Sequence, residues 1–211
     1  MKIMLLAPIH HEKEYREQME EEKKRLGRIE NPFLIGQAES SWKRALEELG
    51  HSVEVFIYTE SILMPNTLRV WLKEYCRRKL PEWYFQYLRW ARIFYRYSLE
   101  NRIRNRRLLE TVEKLRPDLI LITGGTSSIF PETVKYIKEN FLAKIALMNG
   151  MSPIWSATRT EREMVEFIDC FFTNDEYHAI QWLELGAKKA HCLPISSVDP
   201  YLHKRISLSE E

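Results

Sequence analysis

The sequence predicts an α/β protein, a three-layer α/β/α arrangement in which about six parallel strands form one Rossmann-like sheet. Short apolar runs rich in branched and aromatic residues alternate along the chain with segments whose apolar residues recur at helical spacing. This alternation is typical of strand–helix–strand units, which build parallel sheets. Small and polar residues also follow several of the runs, at the positions where such sheets open onto their ligands.

The predicted organisation is a single domain. The 211 residues are enough for one substantial core, and no internal repeat or low-complexity tract divides them. We expect the Rossmann-like domain to span residues 1–200, with helical insertions at about 12–30 and 60–107. Residues 201–211 would then begin an interdomain hinge or form a tail.

Composition excludes several classes of function. Lysine and arginine (32) nearly balance aspartate and glutamate (30), so no overall charge favours a nucleic-acid partner. The three cysteines show no spacing typical of a metal site, and we predict neither a bound metal nor a cofactor. Two of them fall in predicted strands, where a free thiol packs as a small apolar group, and we expect a reducing compartment.

No segment of the sequence predicts secretion or a membrane span. The apolar residues at the N-terminus are too few for the roughly 7–15-residue core of a signal peptide. No run approaches the roughly 18 apolar residues of a transmembrane helix. We therefore expect a cytoplasmic protein.

The first half of the chain predicts two strands of the sheet and the helix that connects them. Residues 2–7 predict a first, central strand, and the loop after it lacks the GxGxxG pattern of dinucleotide-binding domains. Residues 12–28 are highly charged and predict a poorly buried inserted helix. Ser40–Leu49 predicts a core helix that ends at Gly50, and Val53–Tyr58 predicts the second strand. The residues of this core helix expected to face inward are Trp42, Ala45, Leu46 and Leu49.

Residues 67–107 interrupt the alternation with a basic and aromatic insertion. They carry twelve basic residues against three glutamates, and ten of the 25 aromatic residues of the chain (Trp 6, Tyr 10, Phe 9). Pro81 divides the insertion into two predicted helices, and the second has a broad aromatic face beside arginines, which suits an anionic membrane surface. The alternative is packing, with both faces buried against the sheet and against a neighbouring helix or a second protomer of a homodimer. The residues predicted to make the membrane or partner contact are Arg89, Trp90, Arg92 and Arg96.

Alternation resumes in the second half of the chain. The predicted elements are a helix at Leu108–Leu115, a strand at Asp118–Thr123, a helix at Pro131–Phe141, a strand at Lys144–Met148 and a helix at Glu161–Ile168. A strand at Cys170–Thr173 then leads into a helix that Asp175 can cap and Gly186 can end. A last strand covers Lys189–Leu193. The residues of the last helix expected to face inward are Ala179, Trp182, Leu183 and Leu185.

Three stretches of the sequence carry a resemblance to a known family. They are SSWKRALEELGHSVEVF (residues 40–56), RPDLILITGG (116–125) and FFTNDEYHAIQWLELGAKKAHCLPISSVDP (171–200). In the last of them FTND ends a strand, LGA ends a helix and LP followed by DP leads out of the domain. Together they resemble the N-terminal domain of GT-B glycosyltransferases, especially the group similar to spore-maturation glycosyltransferases.

The resemblance implies half of an enzyme that moves a sugar from a nucleotide-sugar to an acceptor hydroxyl. In that family a second, nucleotide-sugar-binding domain follows the hinge, and here it would begin near Glu211. The present half would line the acceptor side of the cleft, would be inactive alone, and would suit a peripheral position at the inner face of the membrane. The alternative is a non-catalytic α/β binding module that docks a membrane or a protein through the basic aromatic insertion.

Three consecutive strand ends carry the small and polar residues of the candidate site. Because consecutive loops of a parallel sheet emerge at one edge, we expect them to line one acceptor or substrate cleft. Glycine-rich backbone can hold an anion or hydroxyl groups, and without a P-loop lysine we favour a sugar or acceptor over a phosphate. The alternative is that these residues form tight turns and helix caps. They are Gly124, Gly125, Thr126, Asn149, Gly150, Asn174 and Asp175.

His10, on the loop after the first strand, is the predicted catalytic residue. A neutral imidazole there could take the proton of an acceptor hydroxyl, which is the general-base step of an inverting transfer. Glu12 and Glu14 on the same loop are alternatives for this role. The competing interpretation is that His10 and His11 form a polar loop pair without a catalytic role.

Overall fold

The computed structural model describes residues 1–8, 20–21, 23–24, 37–59, 62–63, 98–124, 128–150, 152–157 and 159–193. The predicted inserted helix at 12–28 falls outside these residues, apart from four helical and exposed positions at 20–21 and 23–24. The helices of the basic aromatic insertion up to residue 97 also fall outside them, as do residues 194–211.

Six strands and the helices between them make up the described part of the chain. The strands are β1 (Lys2–Ala7), β2 (Ser52–Ile57), β3 (Leu119–Thr123), β4 (Lys144–Met148), β5 (Cys170–Thr173) and β6 (Ala190–Cys192). The helices are α1 (Gln37–Glu48), α2 (Leu99–Leu115), α3 (Pro131–Asn140), α4 (Pro153–Ser156), α5 (Arg159–Met164) and α6 (Glu176–Glu184). A short 3-10 helix at Val165–Phe167 follows α5.

The strands form one parallel sheet in the order β2-β1-β3-β4-β5-β6. Strand β1 is interior, and its residue Leu5 pairs with Val55 on one side and Leu121 on the other. Residues 3–7 of this strand are fully buried, as expected of a parallel strand covered on both faces. The predicted fold class, an α/β Rossmann-like sheet of six strands, is confirmed.

The main core lies on one face of this sheet. Alternate residues of the strands point to that face, and helices α2, α3 and α6 cover them with their apolar sides. Trp182 of α6 is fully buried and stacks on Phe171 of β5 with ring centroids 4.3 Å apart. The strand residues of this core are Met4, Leu6, Ile120, Ile122, Ile145, Leu147 and Phe171, and the helical residues include Leu108, Val112, Val134 and Ile137.

Helix α1 lies on the other face of the sheet. It begins at Gln37, three residues before the predicted start, and the chain turns at Gly50, the predicted end of the helix, where the φ of 81° is left-handed. Trp42 and Leu46 are half-buried against the sheet. Leu49 is exposed, so the prediction that it faces inward is wrong, whereas Ala45 lies on the sheet side of the helix with Trp42 and Leu46 and is nevertheless exposed.

Helix α2 is longer than the sequence pattern indicated. It begins at Leu99 rather than Leu108, and Ser98 caps it by accepting a hydrogen bond from the Asn101 amide at 3.3 Å. Asn101 and Arg104 are buried in its first turns. The Arg104 guanidinium donates to the Asn101 side chain and, at 3.2 Å, to Glu100, so its burial is compensated by hydrogen bonds and an opposite charge.

Two predicted helices differ in detail from those observed. The helix predicted at Glu161–Ile168 is instead the short helix α5, which starts at Arg159, followed by a single 3-10 turn. In α6 the caps are as predicted, because Asp175 accepts a hydrogen bond from the Tyr177 amide at 2.7 Å and Gly186 has a φ of 98°. Ala179 and Trp182 face inward, whereas Leu183 and Leu185 are exposed and correct that part of the prediction.

Within the part of the chain that the structure describes, no helix has the length and apolar character needed to cross a membrane.

Candidate functional site

The candidate site lies at the carboxyl edge of the sheet, where β3, β4 and β5 end side by side. The residues that follow these strands are Gly124, Asn149 and Asn174. The Gly124 amide donates to the carbonyl of Met148 at 3.2 Å, and the Asn149 amide donates to the carbonyl of Phe172 at 3.0 Å. The sheet hydrogen-bonding thus continues one residue past β3 and β4, and the first turn residues are held in one row.

The turn after β3 has a backbone that favours glycine. Gly124 has a φ of 72°, in the left-handed region that strains any residue with a side chain. The far side of the same turn is fixed by Asn105 of α2, which donates to the Ser128 carbonyl at 2.9 Å and accepts from the Phe130 amide at 2.8 Å. The two ends of the turn are therefore anchored by the sheet and by a buried asparagine. Gly125 and Thr126 lie between these anchors and outside the described residues.

A buried polar cluster lies beneath this edge. Tyr58, which follows β2, donates from its hydroxyl to the Thr123 carbonyl at 2.6 Å. The Thr123 hydroxyl lies 3.1 Å from the Leu6 carbonyl and 3.4 Å from the carboxylate of Glu39, two acceptors that compete for its single proton. Glu39 is in the first turn of α1, where the helix dipole favours a negative charge, and it is buried.

A second buried carboxylate belongs to the same cluster. Glu161 of α5 is 1% exposed, and its Oε1 accepts a hydrogen bond from the Asn149 side chain at 3.4 Å. Burial raises the pKa of Tyr58 far above its usual range, and the charges of Glu39 and Glu161 raise that pKa further. Both carboxylates are thus electrostatically close to Tyr58, which remains a neutral hydrogen-bond donor throughout the physiological range.

The turn after β5 is held by capping interactions rather than by a buried charge. Asn174 and Asp175 are exposed, and the Asp175 carboxylate caps α6, which agrees with the capping alternative for this residue. The Thr173 hydroxyl donates to the Asp175 carbonyl at 2.7 Å. Beside this turn the Ser152 hydroxyl donates to the buried Gln181 side chain at 2.8 Å, which ties the loop after β4 to α6.

The structure brings together part of the predicted site and adds to it. The predicted residues found along the described edge are Gly124, Asn149, Gly150, Asn174 and Asp175. The predicted residues that lie outside the described part of the chain are His10, Gly125, Thr126, Arg89, Trp90, Arg92 and Arg96. The residues that the sequence prediction missed are Glu39, Tyr58 and Glu161. Among the described residues no three metal-ligating side chains gather in one place.

This arrangement can bind and orient hydroxyl groups. The side-chain amide of Asn149 is oriented by the buried carboxylate of Glu161, whereas the backbone amides of Gly124 and Asn149 are used in the sheet and hold the turns in place. A buried carboxylate can orient a hydrogen-bond donor such as the Asn149 side chain, and it can accept a proton from a ligand hydroxyl that reaches it. The parallel sheet and its polar carboxyl edge together define an α/β Rossmann-like domain with a candidate ligand site at the strand ends.

No protein-family model matches the chain, and no curated protein sequence matches it. Among the solved structures that resemble it in backbone are three at 12% identity. The UDP-GlcNAc 2-epimerase of Methanocaldococcus jannaschii has a TM-score of 0.48, and the match covers 90% of this chain and 44% of that chain. A structure of S. aureus MnaA with UDP has a TM-score of 0.48, and the match covers 88% of this chain and 42% of that chain. The UDP-GlcNAc 2-epimerase of Neisseria meningitidis bound to UDP-GlcNAc has a TM-score of 0.47, and the match covers 90% of this chain and 45% of that chain. The chain spans less than half the length of each of them.

Proposed function

We propose that this domain is the N-terminal half of a nucleotide-sugar-dependent glycosyltransferase of GT-B architecture and lines the acceptor side of the cleft. The observation that carries the proposal is the row formed by Gly124, Asn149 and Asn174 at the carboxyl ends of three adjacent parallel strands. The resemblance of residues 171–200 to the spore-maturation-like group supports the same assignment.

Glycosyl transfer places two demands on a protein. The acceptor hydroxyl must be held for attack at the anomeric carbon, and the charge of the departing diphosphate must be stabilised. The carboxyl edge suits the first demand, because the oriented side-chain amide of Asn149 can exchange hydrogen bonds with the hydroxyls of a sugar. It suits the second poorly, because Glu39 and Glu161 are carboxylates that would repel a diphosphate. We assign the diphosphate to a second domain, and His10 remains the predicted base.

Isotope-edited NMR of the labelled chain tests this assignment. The chain is titrated separately with a panel of candidate acceptor glycans and with a panel of nucleotide-sugars, and backbone amide shifts are followed. Acceptor glycans are expected to move the amides of Gly124, Asn149, Gly150 and Asn174. Asn149→Ala should weaken this binding about three- to tenfold, as the loss of one neutral hydrogen bond implies.

Asn140→Ala is the matched control, because Asn140 is an exposed asparagine at the far end of α3 and bonds only locally to the Tyr136 carbonyl at 2.9 Å. It should leave glycan binding unchanged. If nucleotide-sugars but not acceptor glycans shift the amide signals at these strand ends, this domain would line the donor side of the cleft instead of the acceptor side. Absence of binding by either class would favour the non-catalytic module.

A further inference from the structure

A groove lies on the second face of the sheet, away from the polar cluster. It has a volume of about 570 Å³ and runs between α1 and strands β3, β4 and β5. Its walls are apolar and include Trp42 and Leu46 from α1, and Leu121, Ala146, Cys170 and Phe172 from the strands. Leu121 and Phe172 are only half-buried, so apolar surface of the sheet faces the groove.

One end of the groove carries a rim of lysines. Lys144 begins β4, and Lys188 and Lys189 precede β6, so all three lie at the amino edge of the sheet, and all three are exposed. None of them forms an ion pair with another residue that the structure describes.

Asp169, the acidic residue at this end, is already paired. Lys138 donates to both of its carboxylate oxygens at 2.7 and 2.6 Å, and the Ile145 amide donates to one of them at 2.9 Å. The three lysines therefore leave the amino end of an apolar groove positively charged.

The size of the groove indicates what it can hold. Ligand cavities of roughly 300–1,000 Å³ with apolar walls and a few polar groups are typical of small-molecule sites. Apolar walls with positive charge at one end suit an extended hydrocarbon chain that carries an anionic headgroup.

We propose that the groove binds one fatty acid such as dodecanoate, with its hydrocarbon chain along β3–β5 and its carboxylate against Lys144, Lys188 and Lys189. Apolar walls take up the chain because each buried methylene favours binding about fourfold. The lysine rim selects an anionic headgroup and sets the direction of the chain. This site does not depend on the proposed sugar transfer, because it lies on the sheet face and not at the carboxyl edge.

Protection of Cys170 from alkylation measures occupancy directly, because this thiol is half-buried and lines the groove. Cys192 is an internal reference. Its neighbour His191 is paired in register with Phe172, so Cys192 itself points to the opposite face of the sheet. The intact chain is treated with an alkylating reagent in the presence of dodecanoate below its micelle concentration, and modification of each cysteine is read by peptide mass spectrometry.

Dodecanoate is expected to slow modification of Cys170 at least tenfold and to leave Cys192 unchanged. Dodecanol and dodecyltrimethylammonium carry the same chain without the negative charge, and each should protect at least tenfold less well at equal concentration. Octanoate should also be weaker, because four fewer methylenes are buried.

Two variants separate the headgroup from the chain. The triple variant Lys144→Glu, Lys188→Glu, Lys189→Glu changes only exposed residues and should weaken dodecanoate binding at least tenfold. Ala45 lines the groove between Trp42 and Leu46, so Ala45→Trp adds a large side chain to the groove and should abolish protection. The control Arg102→Glu, Arg107→Glu, Lys114→Glu makes the same charge change at exposed positions of α2, on the opposite face, and should bind normally.

Equal protection by dodecanol and dodecanoate, or unchanged binding by the lysine triple variant, would refute an acid-selective site. A folded wild-type chain whose Cys170 no amphiphile protects would refute the groove as a ligand site altogether. Neither result bears on glycan binding at Asn149, so this proposal and the proposed transferase function can fail separately.

Discussion

At the scale of single residues, the polar groups under the carboxyl edge determine how rigid the candidate site is. Tyr58, Thr123 and Glu39 come from three separate parts of the chain: the Tyr58 hydroxyl donates to the Thr123 carbonyl at 2.6 Å, and the Glu39 carboxylate lies 3.4 Å from the Thr123 hydroxyl. Asn105 adds a fourth element by holding both the Ser128 carbonyl and the Phe130 amide. Buried polar groups that satisfy one another in this way have little freedom to rearrange, so the strand ends are presented in one conformation.

Tyr58→Phe tests the central bond of this cluster. The substitution removes the hydroxyl that donates to the buried Thr123 carbonyl and keeps the ring, so we expect a loss of about 1–2 kcal/mol in the free energy of unfolding at neutral pH. Urea denaturation measures this loss. Tyr136→Phe, at a half-exposed tyrosine of α3, is the control and should leave stability unchanged.

The pH dependence of the same pair of proteins gives an independent check. Burial and the nearby carboxylates raise the pKa of Tyr58 in the folded state above the value near 10 that it has when unfolded. The stability that depends on the neutral hydroxyl is therefore fully present below about pH 10 and falls as the pH rises above it. The difference in the free energy of unfolding between wild type and Tyr58→Phe should therefore narrow above pH 10. A difference that stays constant up to pH 11 would contradict the burial of the Tyr58 hydroxyl.

At the scale of elements, the strands were predictable from sequence because each is a short apolar run, and all six lie where the runs indicate. The start of α2 was not predictable in the same way. Its first turns bury Asn101, Arg104 and Asn105, and a method that reads apolar periodicity assigns such residues to a solvated surface. Their burial depends on partners such as Ser128 and Phe130, which are distant in sequence.

The candidate site was likewise only partly predictable from the sequence. Gly124, Asn149 and Asn174 could be predicted, because topology alone places consecutive strand ends at one edge. Glu39 and Glu161 could not, since each stands in a charged helix sequence in which an exposed glutamate is the normal expectation. Only the packing of α1 and α5 over the strand ends turns them into buried carboxylates near Tyr58.

The basic aromatic insertion yields a prediction at this scale. We expect it to bind vesicles that contain phosphatidylglycerol, because each arginine near an anionic surface contributes about 1 kcal/mol. Binding measured by sedimentation should fall with added salt, and Arg89→Glu, Arg92→Glu, Arg96→Glu should reduce it at least tenfold. Lys24→Glu, Lys114→Glu, Lys135→Glu makes the same charge change at exposed positions outside residues 67–107 and is the matched control. Failure to sediment with these vesicles at low salt would leave the packing alternative.

At the scale of the whole molecule, the part of the chain that the structure describes presents a polar edge and two differently covered faces of one sheet. The first face carries the main core under helices α2, α3 and α6, whereas the second carries α1 and the groove beside it. The proposed sugar site and the proposed fatty-acid site therefore occupy different surfaces of the same six strands. Met148 and Phe172 line the groove and lie one and two residues before the site residues Asn149 and Asn174, so ligands at the two places would share strands β4 and β5.

The last prediction concerns activity: the 211-residue chain alone should transfer no sugar. Two buried glutamates lie under the described carboxyl edge, and a departing nucleoside diphosphate needs positive charge or aligned donors, which we assign to a second domain. The folded chain, checked by circular dichroism, is incubated with a panel of nucleotide-sugars and glycan, lipid and protein acceptors. Release of nucleoside diphosphate is then measured beside an active two-domain transferase as a positive control. Sustained, acceptor-dependent release by this chain would overturn the assignment of half a cleft, because both the donor and the acceptor would then bind within residues 1–211.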